Sequence, residues 1–386
     1  MSTAVVNIGR SHTGDLAGSS LAGDALVCAD GVVAWIGDSA DVSAGDHETV
    51  LDAQGAGVIP GLIDSHVHIT FGDFTPRQNT VGYLESYLHG GMTRAITASE
   101  VHVPGRPSDP AGVKALAVAA QRCFASYRPG GVTVHAGSVI LEPGLVRSDF
   151  DELRAQGVWL AKAGFGAFDA PLDYVPVAQA ARAAGLLVTC HTGGGSIPGS
   201  LDRIDAGAVI AMGAHVSFHV NGGPTAMSPE DNERIVVEGG DVALQLAMAG
   251  NLRSALDICR LVREHGAEER LLISTDTPTG TGVVPLGMFH LIAELVSLDG
   301  LSVEAAIAAA TGSVGRVYGL DAGVLEVGRP ADLLVLDAPL GSMGEDWAGA
   351  LQVGDVPAVC AALTSGEVRF TKSRNTPAPK RPVALA

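Results

Sequence analysis

The stretch "GVIPGLIDSHVHIT", residues 57–70, decides the fold. It runs seven residues of Gly, Val, Ile, Pro and Leu into Asp64 and Ser65, and then sets His66 and His68 two positions apart. An apolar run without helical period, rich in branched residues, reads as a strand covered on both faces, as in a parallel sheet. Side chains alternate along a strand, so His66 and His68 face the same way at its end. From there they can converge on one cation.

Comparable runs recur downstream. They are "TRAITAS" (93–99), "VTVHAGSVI" (132–140), "GVWLAKAGFG" (157–166), "LLVTCHTGG" (186–194), "HVSFHVNGG" (215–223), "VALQLAM" (242–248) and "LLISTDTP" (271–278). With 58–69 they make eight. Amphipathic stretches such as "DPAGVKALAVAAQRCFASY" and "NLRSALDICRLVREHGAEER" lie between them, with apolar residues at spacings of three and four. Eight alternating units predict an α/β fold, a (β/α)8 TIM-like barrel over 58–318. An open doubly wound sheet would carry a Gly-rich turn after its first strand, and residues after 58 lack one. Residues 1–57 and 319–386 read differently, as short strands and turns. "ALVCADGVVAWIGD" is hairpin text around Asp-Gly, and "GVLEVGRPADLLVLDAP" repeats the style. Both ends together predict a small β-sandwich domain.

Bulk properties narrow the function. Of 386 residues, 24 are basic and 42 acidic, for a net charge of −18. That balance disfavours nucleic acid and anionic membranes as partners. No apolar run approaches the roughly 18 residues of a membrane span. The first residues lack a basic segment followed by an apolar core. Five scattered cysteines without CxxC spacing point to a reducing cytoplasm.

The suspicious polar groups cluster at strand ends, where barrels place their chemistry. These are His66 and His68 after the first run, Lys162 in the fourth, His191 in the fifth, His219 in the sixth and Asp276 in the eighth. Imidazole nitrogen with carboxylate oxygen suits zinc, iron or manganese. Each group alone has a plain structural alternative: Lys162 could snorkel outward, and Asp276 could cap the next helix. Six such groups on five strands of one barrel favour a metal centre. His12, His47, His265 and His290 lie in terminal or helical text, His89 ends a helix, and His215 begins the sixth strand. His102 lies past the second strand's end, within reach of a substrate.

"VIPGLIDSHVHI", Lys162, "HTGG", "HVNGG" and "STDTP", in that order, resemble the amidohydrolase superfamily. Within it the loops "GDFTPRQ", "HTGGGSIPGS", "HVNGGPTA" and "TPTGTGVVPLG" look like those of the enamidases. The resemblance implies two divalent metal ions, zinc at both positions or zinc with iron. His66, His68 and Asp276 would hold the first and His191 and His219 the second, with Lys162, carbamylated, bridging them. Some relatives carry Glu at that position; an unmodified Lys162 beside a one-metal site is the other possibility. It also implies hydrolysis of a cyclic amide, with Asp276 as the catalytic proton carrier. For enamidases the ring is a reduced 6-oxonicotinate, opened to a formyl dicarboxylate with release of ammonia. Another cyclic amide, an imidazolone, a lactone or a deamination remains the alternative. A substrate carboxylate calls for a cation, and Arg77 or Arg106 could meet it. Thr192, Ser196 and Asn221 could hydrogen-bond the ring. Relatives of this kind are often homotetramers.

Overall fold

The computed structural model describes residues 2–70, 77–101, 105–194, 202–223, 225–278 and 282–385, with the backbone alone for 77–81. Eight parallel strands form its centre: strand one Leu62–Val67, two Met92–Thr97, three Thr133–His135 with Ser138–Ile140, four Leu160–Ala163, five Leu187–His191, six Val216–Phe218, seven Ala243–Ala247 and eight Leu271–Ser274. Each pairs in parallel with the next. The ring closes between strands eight and one: Asp276 N–H donates to His66 O at 3.0 Å, and His68 N–H donates to Thr277 O at 3.0 Å. These residues form the barrel that the eight runs predict.

Strand three is in two pieces. Its first half pairs with strand two and its second with strand four. Gly137 sits at the break with φ of 102°. The buried carboxylate of Glu100 accepts from Gly137 N at 2.6 Å and Ser138 N at 2.7 Å. A side chain thus satisfies backbone donors where the ladder is interrupted.

The barrel floor is apolar. Ile63, Ile96, Leu160, Val216, Ala243 and Leu272 pack together, and Val314 and Tyr318 of the helix Gly312–Tyr318 join them. Two residues further along a strand, the same inward face carries Lys162 above Leu160 and Gln245 above Ala243. Outside, the helices start at local caps. Asp109, Ser228 and Asn251 accept from the third following residue's N–H at the heads of Pro110–Phe124, Pro229–Glu238 and Leu252–Glu264, each worth about 1 kcal/mol. Among the described residues no helix is long and apolar enough to cross a membrane.

The chain ends contribute two further sheets. One runs in the order Ala384–Leu385, Thr49–Asp52, Ser2–Val6, Ala25–Ala29, Val32–Gly37; the other in the order Glu367–Phe370, Ala358–Thr364, Leu333–Asp337, Gly57–Pro60. The Asp30–Gly31 turn joins an antiparallel hairpin, with both residues at positive φ. Val5, Leu26, Cys28, Val33 and Leu51 of the first sheet share an apolar cluster with Val58, Leu333, Val335, Cys360 and Leu363 of the second.

The opening run therefore holds two strands where the sequence suggests one. Gly57–Pro60 pairs antiparallel with Leu333–Asp337, while Leu62–Val67 begins the barrel. Gly61 is the join: a Cβ there would lie 2.1 Å from Thr93 Oγ1. Both halves are buried throughout, so hydropathy shows no step between them.

Candidate metal centre

His66, His68 and Asp276 meet at the seam where strand eight returns to strand one. Their ligand atoms lie within 4.8 Å of one another. Asp276 Oδ1 is 3.1 Å from His66 Nε2 and 3.3 Å from His68 Nε2. His66 Nδ1 stands 2.8 Å from Gln245 Oε1, whose own NH2 donates to Ser65 Oγ at 2.7 Å. With Gln245 Oε1 as the acceptor, His66 donates through Nδ1–H and keeps Nε2 on the Asp276 side, the kind of second contact that orients an imidazole able to bind metal. His68 Nδ1 is 3.3 Å from Ser99 Oγ.

His191 and His219 approach from the adjoining strand ends, with His191 Nδ1 2.9 Å from His219 Nε2. The rings of His66 and His219 are 5.3 Å apart between centroids, so the two groups of imidazoles adjoin. Lys162 is fully buried. Its Nζ lies over Phe165 at 4.9 Å and Phe218 at 5.5 Å from the ring centres. Among the described residues, neither Lys162 Nζ nor His219 Nδ1 makes a hydrogen bond.

Burial sets the charge states. It pulls His68 down to about 4 and His219 to about 3, and it drives His191 well below the ordinary imidazole value. Neutral imidazole is the form that binds metal. Burial brings Lys162 down to about 8, against the pull of the Asp276 carboxylate and with help from Arg106. Burial alone would raise Asp276, but the imidazoles, His66 first, outweigh it and hold the carboxyl well below its usual range. The neutral imidazoles of His68, His191 and His219 and the anionic carboxylate of Asp276 are donors of the kind that fits a divalent metal. Lys162 Nζ is one of the buried polar atoms that make no hydrogen bond among the described residues.

The backbone is bent to present these groups. Phe165, His219 and Asp276 have φ of 67°, 34° and 57°, a left-handed conformation costing of order 1–3 kcal/mol for each such residue. Phe165 packs edge-on to His191 at 4.7 Å.

The other sequence candidates fall in different places. Thr192 is buried, donating to Cys190 O at 3.2 Å and lying 2.6 Å from Ser217 Oγ. Asn221 bridges Ala247 through both ends of its amide at 2.9 Å. These contacts tie adjacent strand ends together and place both side chains in the scaffold. Arg106 pairs with the buried Glu142 at 3.4 Å. Arg77 begins the helix Arg77–His89, and its side chain, with Ser196 and His102, lies outside the described residues. Sequence reasoning did not single out Gln245, Asp64, Tyr83, Tyr87, Thr275 or Thr277. Gln245 alone carried a signal, as a polar residue inside an apolar run.

A closed parallel barrel with these ligand-type residues at its strand ends is the architecture of the amidohydrolases. The chain belongs to the Amidohydrolase family, which it matches over residues 58–368. It is 42% identical to the enamidase of Eubacterium barkeri over 380 residues, 98% of each chain. The crystal structure of an enamidase superposes with a TM-score of 0.94 at 41% identity, covering 100% of both chains. Imidazolonepropionase of Micrococcus luteus is 30% identical over 385 residues, 88% of this chain and 93% of its own. D-hydantoinase, at 17% identity and a TM-score of 0.69 over 99% of both chains, shares the fold.

Proposed function

We propose that this protein is a metal-dependent amidohydrolase that opens a cyclic amide at its C–N bond, in the manner of an enamidase. The observation that carries the reading is the convergence of His66, His68 and Asp276 within 4.8 Å, in a chain 42% identical to an enamidase along 98% of its length. His66, His68 and Asp276 would hold the first of two divalent ions, His191 and His219 would hold the second, and Lys162, as its carbamate, would supply anionic oxygen to the pair. Zinc, or zinc with iron, suits this donor set. The amine of Lys162, brought down to about 8 by burial, has a larger neutral fraction to react with CO2 than a solvent-exposed lysine, and the carbamate supplies anionic oxygens where the free amine supplies none.

When bound, the ions lower the pKa of water and polarise the amide carbonyl. The protein's own part is proton handling and orientation. Asp276, anionic and facing two imidazoles, takes the proton from the attacking water and returns it to the leaving ring nitrogen. Without that delivery the nitrogen would depart as an amide anion, a poor leaving group. Ring opening consumes one water and gives a carboxylate and an enamine. The enamine becomes an imine, and a second water converts it to an aldehyde with release of ammonia. Arg106, with Arg77 and Ser196, is the candidate to bind the substrate's carboxylate and ring polar atoms. Thr192 and Asn221 tie adjacent strand ends together.

We assign residues 61–318 to the catalytic barrel and residues 1–60 with 319–386 to a small sandwich domain; the boundary falls three residues later than the sequence suggests because Gly57–Pro60 pairs with Leu333–Asp337, and the shared cluster of Leu26, Val33, Val58, Leu333 and Leu363 supports the arrangement. A reducing cytoplasm fits five cysteines that are all free. A homotetramer completes the reading by likeness to relatives.

The test is hydrolysis of 6-oxo-1,4,5,6-tetrahydronicotinate by zinc-loaded protein, followed by ammonia release. The expected result is one ammonia per ring opened, abolished by chelation. Failure to open this ring, with turnover of an imidazolone in its place, overturns the substrate assignment.

A further inference from the structure

Asp276 is flanked by two threonines whose hydroxyls are both fixed. Thr275 Oγ1 donates to Asp64 Oδ2 at 2.5 Å, and Thr275 N–H donates to Asp64 Oδ1 at 3.1 Å. Thr277 Oγ1 lies 2.8 Å from Thr275 Oγ1. Two tyrosines of the helix Arg77–His89 converge on Thr277 from the other side. Tyr87 OH is in close hydrogen-bond contact with Thr277 Oγ1. Tyr83 OH is 3.2 Å from the same oxygen and donates to Thr277 O at 3.3 Å. Val284 N–H donates to Tyr87 OH at 3.0 Å. Because Thr275 gives its single hydroxyl hydrogen to Asp64, each hydroxyl behind it donates forward in turn: Val284 N–H to Tyr87, Tyr87 to Thr277, Thr277 to Thr275, Thr275 to Asp64.

The tyrosines are rigidly held. Their rings stack at 4.2 Å and 17°, and both are buried. Burial raises both phenols above their usual value, which keeps them hydroxyl donors. The helix itself is anchored from the far end of the chain: Ser373 Oγ donates to His89 O at 2.7 Å, and Asn375 Nδ2 to Ser86 O at 2.7 Å. Asp276 sits between the two threonines at φ of 57°, a conformation a free strand end would leave.

We propose that Tyr87, with Tyr83, is a positioning residue for the ring-opening reaction. Through Thr277 it holds Asp276 in the left-handed turn from which one carboxylate oxygen faces both His66 and His68. This inference rests on the hydrolase reading above for its kinetic test and on the geometry alone for its spectroscopic one.

Tyr87→Phe, Thr277→Val and Thr277→Ser are compared with wild type as zinc-loaded and cobalt-loaded proteins. Tyr87→Phe and Thr277→Val are expected to lower kcat about 10- to 100-fold, the scale on which small displacements of catalytic groups act. KM and metal content should stay near wild type, because no ligand or substrate contact is removed. Thr277→Ser, which keeps the hydroxyl, should restore kcat. The visible bands of the cobalt forms should change in Tyr87→Phe and Thr277→Val and match wild type in Thr277→Ser. Wild-type kcat and cobalt spectra in Tyr87→Phe and Thr277→Val overturn the proposal, as does a loss that Thr277→Ser shares. If wild type opens no lactam, the functional reading falls and the cobalt spectra alone decide this one.

Discussion

Lys162 shows what the sequence could and could not say at the scale of one residue. A lysine inside "VWLAKAGFG" could snorkel to solvent or face a metal, and text does not choose. The structure places it on the inward face above Leu160, fully buried and, among the described residues, without a hydrogen bond. The histidines were legible because strand alternation and strand-end position are properties of the sequence. Tyr83 and Tyr87 were not, since two aromatics four apart on a helix read as core, and only the fold brings strand eight to them. Under the proposed mechanism, Asn at position 276 would retain a ligand oxygen and lose the proton carrier. Asp276→Asn should keep most of its metal by elemental analysis and lose about 10²- to 10⁴-fold in kcat; an unchanged rate would remove Asp276 from proton transfer. His135 offers a pH test away from the centre. Burial, then Arg94 and Arg128, pulls it down to about 3 from an ordinary 6.5. The unfolded chain therefore binds a proton at His135 that the folded chain refuses between those values. Its contribution is complete above about pH 6.5 and is lost as pH falls toward 3, by at most about 1.4 kcal/mol per unit. His135→Gln should flatten denaturant-measured stability over that window, and a slope equal to wild type would contradict the assignment.

Among elements, the eight strands were legible from their apolar runs and from the helices between them. The division of the first run was not. Gly57–Pro60 and Leu62–Val67 are buried in two different sheets, so composition is the same on both sides of Gly61. What marks the boundary is a close approach: strand two brings Thr93 against Gly61, leaving no room for a Cβ. Gly61→Ala should cost about 1–3 kcal/mol, the range for forced overpacking, and lower the thermal midpoint. Undiminished stability would mean that Thr93 yields easily. The broken third strand was equally hidden, because the carboxylate that supports the break, Glu100, lies 37 residues before Gly137.

Across the whole molecule, the barrel gathers at one rim residues spread over more than half of the chain. His66 and Asp276 are 210 positions apart, yet Asp276 N–H bonds His66 O at 3.0 Å and the Asp276 carboxylate faces both His66 and His68. The convergence of these side chains thus depends on barrel closure, and the last segment of the chain holds the helix Arg77–His89 through Ser373 and Asn375. The most direct measurement is anomalous diffraction at the zinc and iron edges from crystals of the metal-loaded protein. The expected map has one peak among His66, His68 and Asp276, a second beside His191 and His219, and density for a carbamate on Lys162 between them. A loaded, active protein whose metal peaks lie away from these side chains would contradict the account.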